Sequence, residues 1–84
     1  MIGFLRGKVV QLLATCCLLD VNGVGYRVYI SDVTRRDLRL NEEALVYTHM
    51  SVREDAIQLY GFAKQDEFNI FQLLIAVSGI GPKV

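Results

Sequence analysis

Two short stretches of this chain have residue types and spacing that could act on a charged ligand. The first is Arg53-Glu54-Asp55, with Thr48 to Val52 before it and Ala56 to Phe62 after it. Such β-rich flanks around a short charged break predict two strands joined by a turn, with Glu54 and Asp55 at its tip. Tight hairpin turns are usually built from Asn-Gly or Asp-Gly, which accept the positive φ the turn demands. Adjacent carboxylates offer no such advantage. The tip is therefore either an ordinary solvated turn or a protruding point of negative charge.

The second stretch is Ser78-Gly79-Ile80-Gly81-Pro82-Lys83-Val84. Gly79 suits the left-handed position that ends a helix, and Pro82 suits the first position of the next one. Glycines between two helices permit close backbone approach. The amides at a helix start point outward, and the positive end of the helix dipole attracts a phosphate, to which Lys83 adds a charge. This is the hairpin pattern of a helix-hairpin-helix, a sequence-independent grip on a DNA backbone through Gly79, Ile80, Gly81 and Lys83. Gly23-Val24-Gly25 repeats the GxG spacing, but Asn22 before it makes a β-hairpin the better explanation. A helix that ends, a tight turn, and a second helix that has barely started predict a chain cut short by truncation or proteolysis.

Enzymatic chemistry is not expected. Neighbouring carboxylates in an extended segment point apart, whereas a hydrolytic pair must converge on one bond. His49 is the only histidine, and a lone strand histidine is more often packed or at the surface than a ligand. Cys16 and Cys17 should face opposite sides of a strand, and with no CxxC pattern a zinc site is not predicted. No phosphate-binding P-loop is present. Catalytic residues, metal and cofactor are all expected to be none.

Nine basic and nine acidic residues cancel, which argues against a general polyanion binder. Charges sorted onto different faces remain compatible with that balance. At 52% hydrophobic the chain exceeds the usual ~45–50%, and a domain of this size buries only ~60% of its unfolded surface. A partner subunit or further sequence should cover the surplus. The cysteine usage reads as reduced and intracellular. Leu13-Ala14-Thr15-Cys16 weakly suggests a lipoprotein cleavage site, but Gln11 interrupts the apolar run and a good strand continues past Cys16. No segment reaches the ~18 apolar residues of a membrane span, so no membrane association is expected.

The elements that must position these residues follow in order. Ile2 to Leu13 is strand-like, with Gly3 and Gly7 where a bend or bulge would fall. Ala14 to Val21 is a second β-rich run, Asn22-Gly23 a hairpin turn, and Gly25 to Ile30 a third strand. Ser31 to Asn41 opens on capping residues and has room for one or two helical turns. Its Arg35, Arg36 and Arg39 read as a solvated connector in preference to a nucleic-acid patch. Ala44 to Val52 and Ala56 to Phe62 complete five strands. That outline predicts a mainly β chain with an OB-fold barrel over residues 1–62, although a small SH3-like barrel fits the same pattern. From Lys64 the period becomes helical. Phe68, Phe71, Gln72 and Ile75 form one stripe and Ile70, Leu73, Leu74 and Val77 a second, so one face should dock on the barrel and the other lack a cover. Residues 63–84 are thus a C-terminal helix entering an incomplete helix-hairpin-helix.

Four stretches in this order carry a resemblance: Met1-Ile2-Gly3-Phe4-Leu5-Arg6-Gly7, Asn22-Gly23-Val24-Gly25-Tyr26-Arg27-Val28, Val52-Arg53-Glu54-Asp55-Ala56 with Leu59-Tyr60-Gly61-Phe62, and Ser78-Gly79-Ile80-Gly81-Pro82-Lys83. Together they resemble the RuvA family of bacterial Holliday junction branch migration subunits. The resemblance implies an N-terminal OB-fold, then two helix-hairpin-helix motifs and a mobile C-terminal domain that docks on the ATPase motor RuvB. It implies a homotetramer of the full-length protein, in the bacterial cytoplasm, gripping a four-way DNA junction, with the resolvase RuvC as a further partner. It places an acidic pin on Glu54 and Asp55 and the first backbone grip on Gly79, Ile80, Gly81 and Lys83. The second motif and the motor-binding part fall beyond Val84. Two other functions compete. A generic OB-fold binder of single strands would use Tyr26, Tyr29, Tyr47 or Tyr60 as stacking platforms. A protein-assembly module would use the apolar surplus.

Overall fold

The computed structural model describes residues 2–78. Five strands and two helices follow one another as β1 (Phe4–Leu12), β2 (Cys16–Val21), β3 (Val24–Ile30), α1 (Asp32–Asp37), β4 (Glu43–Val52), β5 (Ile57–Phe62) and α2 (Gln65–Ser78). Each expected strand is present. They close into a barrel in the order β1-β2-β3-β5-β4. All neighbours are antiparallel except β3 and β5, which run parallel through Val28↔Leu59, Tyr29↔Tyr60 and Ile30↔Gly61. The mainly β closed barrel followed by a helix fits an OB-fold.

Local chemistry explains most of the turns. Asn22 and Gly23 take φ of 53° and 88°, the left-handed pair a two-residue hairpin loop needs. The Gly23 N–H donates to Asp20 Oδ1 at 2.8 Å. The connector after β3 is helical because Ser31 caps it: its Oγ accepts from the Thr34 N–H at 3.2 Å.

β1 serves two partners in succession. Phe4–Lys8 pair with β4 and Lys8–Leu12 with β2, so the strand must bend as it passes from one to the other. The bend was expected at a glycine, but the register shifts between Val9 and Gln11, making Val10 the extra residue. Gly7 has a different use. A Cβ there would lie 2.5 Å from the Asp20 carbonyl oxygen and 2.8 Å from Val21 Cγ2, so the glycine permits β1 and β2 to approach.

The core gathers Leu5, Val9, Cys17, Leu19, Val28, Leu38, Val46 and Leu59. Cys16 and Cys17 are unbonded to each other and both buried. Burial pushes the Cys17 thiol up to about 11, with the neighbouring Cys16 adding to the shift. The protonated, buried Cys17 should therefore stay unreactive toward an aromatic disulfide at neutral pH until the chain unfolds. Its contribution to stability is intact below the unfolded thiol's pKa of ~8.5 and is lost as pH rises through about 11; a Cys17→Ser comparison across alkaline melts measures it. Gly61 is a second close approach, since a Cβ there would collide with Val28 Cγ1. Gly61→Ala is expected to cost ~1–3 kcal/mol through overpacking, seen as a lower thermal midpoint.

Candidate nucleic-acid interface

The predicted hairpin is present. β4 and β5 pair from Tyr47↔Phe62 out to Val52↔Ile57, and the Arg53 N–H donates to the Ala56 carbonyl at 2.8 Å to close a four-residue turn. Glu54 and Asp55 occupy its bend, and every residue from Val52 to Ile57 is exposed. The ion pair among the described residues joins Lys64 to Asp37 at 3.9 Å and involves neither tip carboxylate. The structure thus brings Glu54 and Asp55 together on one protruding turn, outside any ion pair among the described residues. Gly79, Ile80, Gly81 and Lys83 lie outside the described residues.

Strand alternation sorts the hairpin into two faces. Thr48↔Gly61, Met50↔Leu59 and Val52↔Ile57 alternate with Tyr47↔Phe62, His49↔Tyr60 and Ser51↔Gln58. Leu59 belongs to the core with Met50 packed against it, so the first set faces inward. The second set faces outward and receives α2. Phe71 meets Phe62 with ring centroids 4.8 Å apart, His49 edge-on at 5.5 Å and Tyr60 at 6.2 Å. Phe68 meets Phe62 at 6.0 Å and Tyr47 at 6.2 Å. These ring contacts fix the hairpin's root against the helix.

The first apolar stripe of α2 therefore docks through Phe68 and Phe71, with Ile75 half-buried and Gln72 exposed. On the second stripe Ile70, Leu73 and Leu74 are 59%, 63% and 56% exposed, as the double stripe predicts; the Val77 side chain lies outside those described. The candidate stacking platforms are occupied. Tyr29 packs on Tyr60 at 5.7 Å, Tyr47 and Tyr60 meet α2, and Tyr26 packs on the core.

One set of contacts was not foreseen. Glu67, in the first turn of α2, accepts from Ser31 Oγ at 2.6 Å and from Thr34 Oγ1 at 2.8 Å. Thr34 Oγ1 in turn accepts from the Ala63 N–H at 3.2 Å. The fully buried Thr34 is thereby satisfied, and the two helices are tied at the point where β5 leaves the barrel. The capping role of Ser31 was visible locally; a partner 36 residues away has no local signal. Arg35 also turns out to be structural, its Nε donating to the Leu13 carbonyl at 2.9 Å, while Arg36 and Arg39 are exposed. An open groove of about 560 Å³ lies beside this tie, between Ala14, Thr15, Tyr29, Asp32, Tyr60 and Phe71.

With this geometry in view, comparison with known proteins is decisive. The family described as "RuvA N terminal domain" matches residues 1–61. The chain belongs to the RuvA family. It is 49% identical over 85 residues to the Chlorobium luteolum "Holliday junction branch migration complex subunit RuvA", covering all of this chain and 42% of that relative. The Pelobacter propionicus RuvA is 50% identical over 84 residues, again with 42% of the relative covered. The Bdellovibrio bacteriovorus RuvA is 45% identical over 86 residues, with 44% covered. The chain thus spans less than half the length of these RuvA relatives.

Glu67→Ala removes a charged acceptor from two hydroxyls and should cost ~2 kcal/mol, with α2 loosening from the barrel. Urea unfolding gives the energy, and the near-ultraviolet signal of the tyrosines reports the lost docking.

Proposed function

We propose that this RuvA-family chain is the junction-facing part of a non-catalytic scaffold that recognises four-way DNA junctions and supports ATP-dependent branch migration by a partner motor. The observation that carries this reading is the exposed Glu54-Asp55 tip, without an ion-pair partner among the described residues, on a hairpin that projects from the barrel. Carboxylates at such a point repel phosphate backbones that converge on it. A continuous duplex brings no such convergence, so repulsion at the centre combined with attraction on the arms selects an open junction. Repulsion of this kind acts within the Debye length of ~8 Å at physiological salt.

The relatives named as branch migration complex subunits support the wider assignment. The barrel over 1–62 supplies the tip. Residues 63–84 begin a helix-hairpin-helix in which Gly79, Ile80, Gly81 and Lys83 hold a DNA backbone. The working assembly is a homotetramer in the bacterial cytoplasm, acting with the RuvB motor and the RuvC resolvase. No helix among the described residues is long and apolar enough to cross a membrane. A single-strand binder is supported less well, because the tyrosines it would use are engaged in packing. A role in assembly is compatible with the scaffold and would use the exposed stripe of α2.

The test is a chimera in which residues 1–84 replace the matching part of the Chlorobium luteolum relative. Neutralising the tip with Glu54→Gln and Asp55→Asn is expected to leave the fold intact and lower the preference for a four-way junction over linear duplex several-fold. The difference should shrink as salt rises. Selectivity that stays the same throughout a salt series overturns the role given to the tip.

A further inference from the structure

The turn between β2 and β3 holds two neighbours that can react with one another. Asn22 and Gly23 are both exposed, and both take positive φ. A side chain on Gly23 would meet nothing within 4 Å, so the space around this residue is open. Asparagine is one of the chemically labile side chains, and a following glycine offers no steric hindrance to the reaction that makes it so. In that reaction the Gly23 backbone nitrogen attacks Asn22 Cγ and closes an imide ring. The new N–Cγ bond forms as the Cγ–Nδ2 bond breaks, and the Gly23 proton leaves with the side-chain nitrogen as ammonia. Water then adds to either ring carbonyl and opens the ring, giving aspartate or isoaspartate. Either product carries a carboxylate where a neutral amide stood.

One contact restrains this chemistry. The Gly23 N–H donates to Asp20 Oδ1 at 2.8 Å. The nitrogen can attack only as it gives up that proton, and a carboxylate beside it disfavours the anion. The same hydrogen bond fixes the turn against the rearrangement that ring closure requires. We propose that Asn22-Gly23 is a self-modifying site whose rate is set by Asp20. Its place in the fold gives the product a consequence. β3 and β5 run parallel, so the turn that precedes β3 and the turn that precedes β5 lie at the same end of the barrel. The new carboxylate therefore joins Glu54 and Asp55 at that end, and a chain of zero net charge becomes acidic. Under the proposed junction-binding role, on which this last step rests, the modification weakens attachment to DNA.

The experiment incubates the folded chain at mildly alkaline pH. Peptide mass mapping follows the conversion of amide to acid at Asn22, and an isoaspartate-specific methyltransferase detects the isomer. Modification is expected at Asn22, more slowly than in a free peptide spanning Val21 to Gly25, and Asp20→Ala should raise the rate several-fold. Asp20→Asn keeps a side-chain acceptor without the charge, so its rate should fall between the two; it also decides the matter if circular dichroism shows Asp20→Ala to be unfolded. An unmodified Asn22 after the free peptide has reacted overturns the site. A rate in the folded Asp20 variants equal to or below the parent's overturns the restraint. For the consequence, Asn22→Asp in the same chimera supplies the charge. Junction binding at low salt should weaken about two- to fivefold, the range for one exposed charge interaction, with the difference closing as salt rises. Unchanged binding overturns the consequence. A parent chimera without junction preference overturns the proposed function instead, and the mass mapping still decides the site.

Discussion

Closure of this barrel depends on a short parallel contact between β3 and β5, only three residue pairs long from Val28↔Leu59 to Ile30↔Gly61. β5 must stay paired with β4 along its whole length and still approach β3 closely. Gly61 makes this possible, because the space its side chain would take is filled by Val28. The contact also sets where the barrel stops. Before Leu59, β5 has β4 as its partner and β3 has β2, so the end of the β4–β5 hairpin leaves the wall as a two-stranded ribbon. The protrusion of Glu54 and Asp55 is thus a consequence of how the barrel closes.

A lone two-stranded ribbon is only marginally stable in water, and here its root is secured from outside. α2 lays Phe68 and Phe71 across Tyr47, His49, Tyr60 and Phe62. Glu67 fixes the start of that helix to Ser31 and Thr34. Because α2 occupies the outward face of the hairpin, that face is closed to a stacked base. What remains exposed is the tip and the inward face beyond the barrel's mouth. Those two surfaces differ in kind, one charged and one apolar, and lie within a few residues of each other.

The zero net charge takes on a clearer meaning in this setting. Junction binding by a uniformly basic surface would favour any duplex equally. Under the proposed role, a local excess of negative charge on a projecting turn would give up general attraction for discrimination by geometry. In the basic stretch around α1, Arg35 is held by the Leu13 carbonyl while Arg36 and Arg39 stay exposed.

The sequence by itself determined the order of the elements, the Asn22-Gly23 turn, the Ser31 cap, the acidic tip and the two apolar stripes of α2. Each depends on residues close together in the chain, through period, turn chemistry or capping. The tertiary structure decided what depends on residues far apart. It put the bulge at Val10 and gave Gly7 a close approach instead, because β1 must change partners where β2 and β4 demand it. It buried both Cys16 and Cys17, although alternation would send them to opposite faces, since that end of β2 is covered on both sides. It linked Glu67 to Ser31 and Thr34, and it left Val52 and Ile57 in the open. Strand pairing puts Val52 and Ile57 on the same face as Met50 and Leu59. Only the closed barrel shows that the core ends before it reaches them.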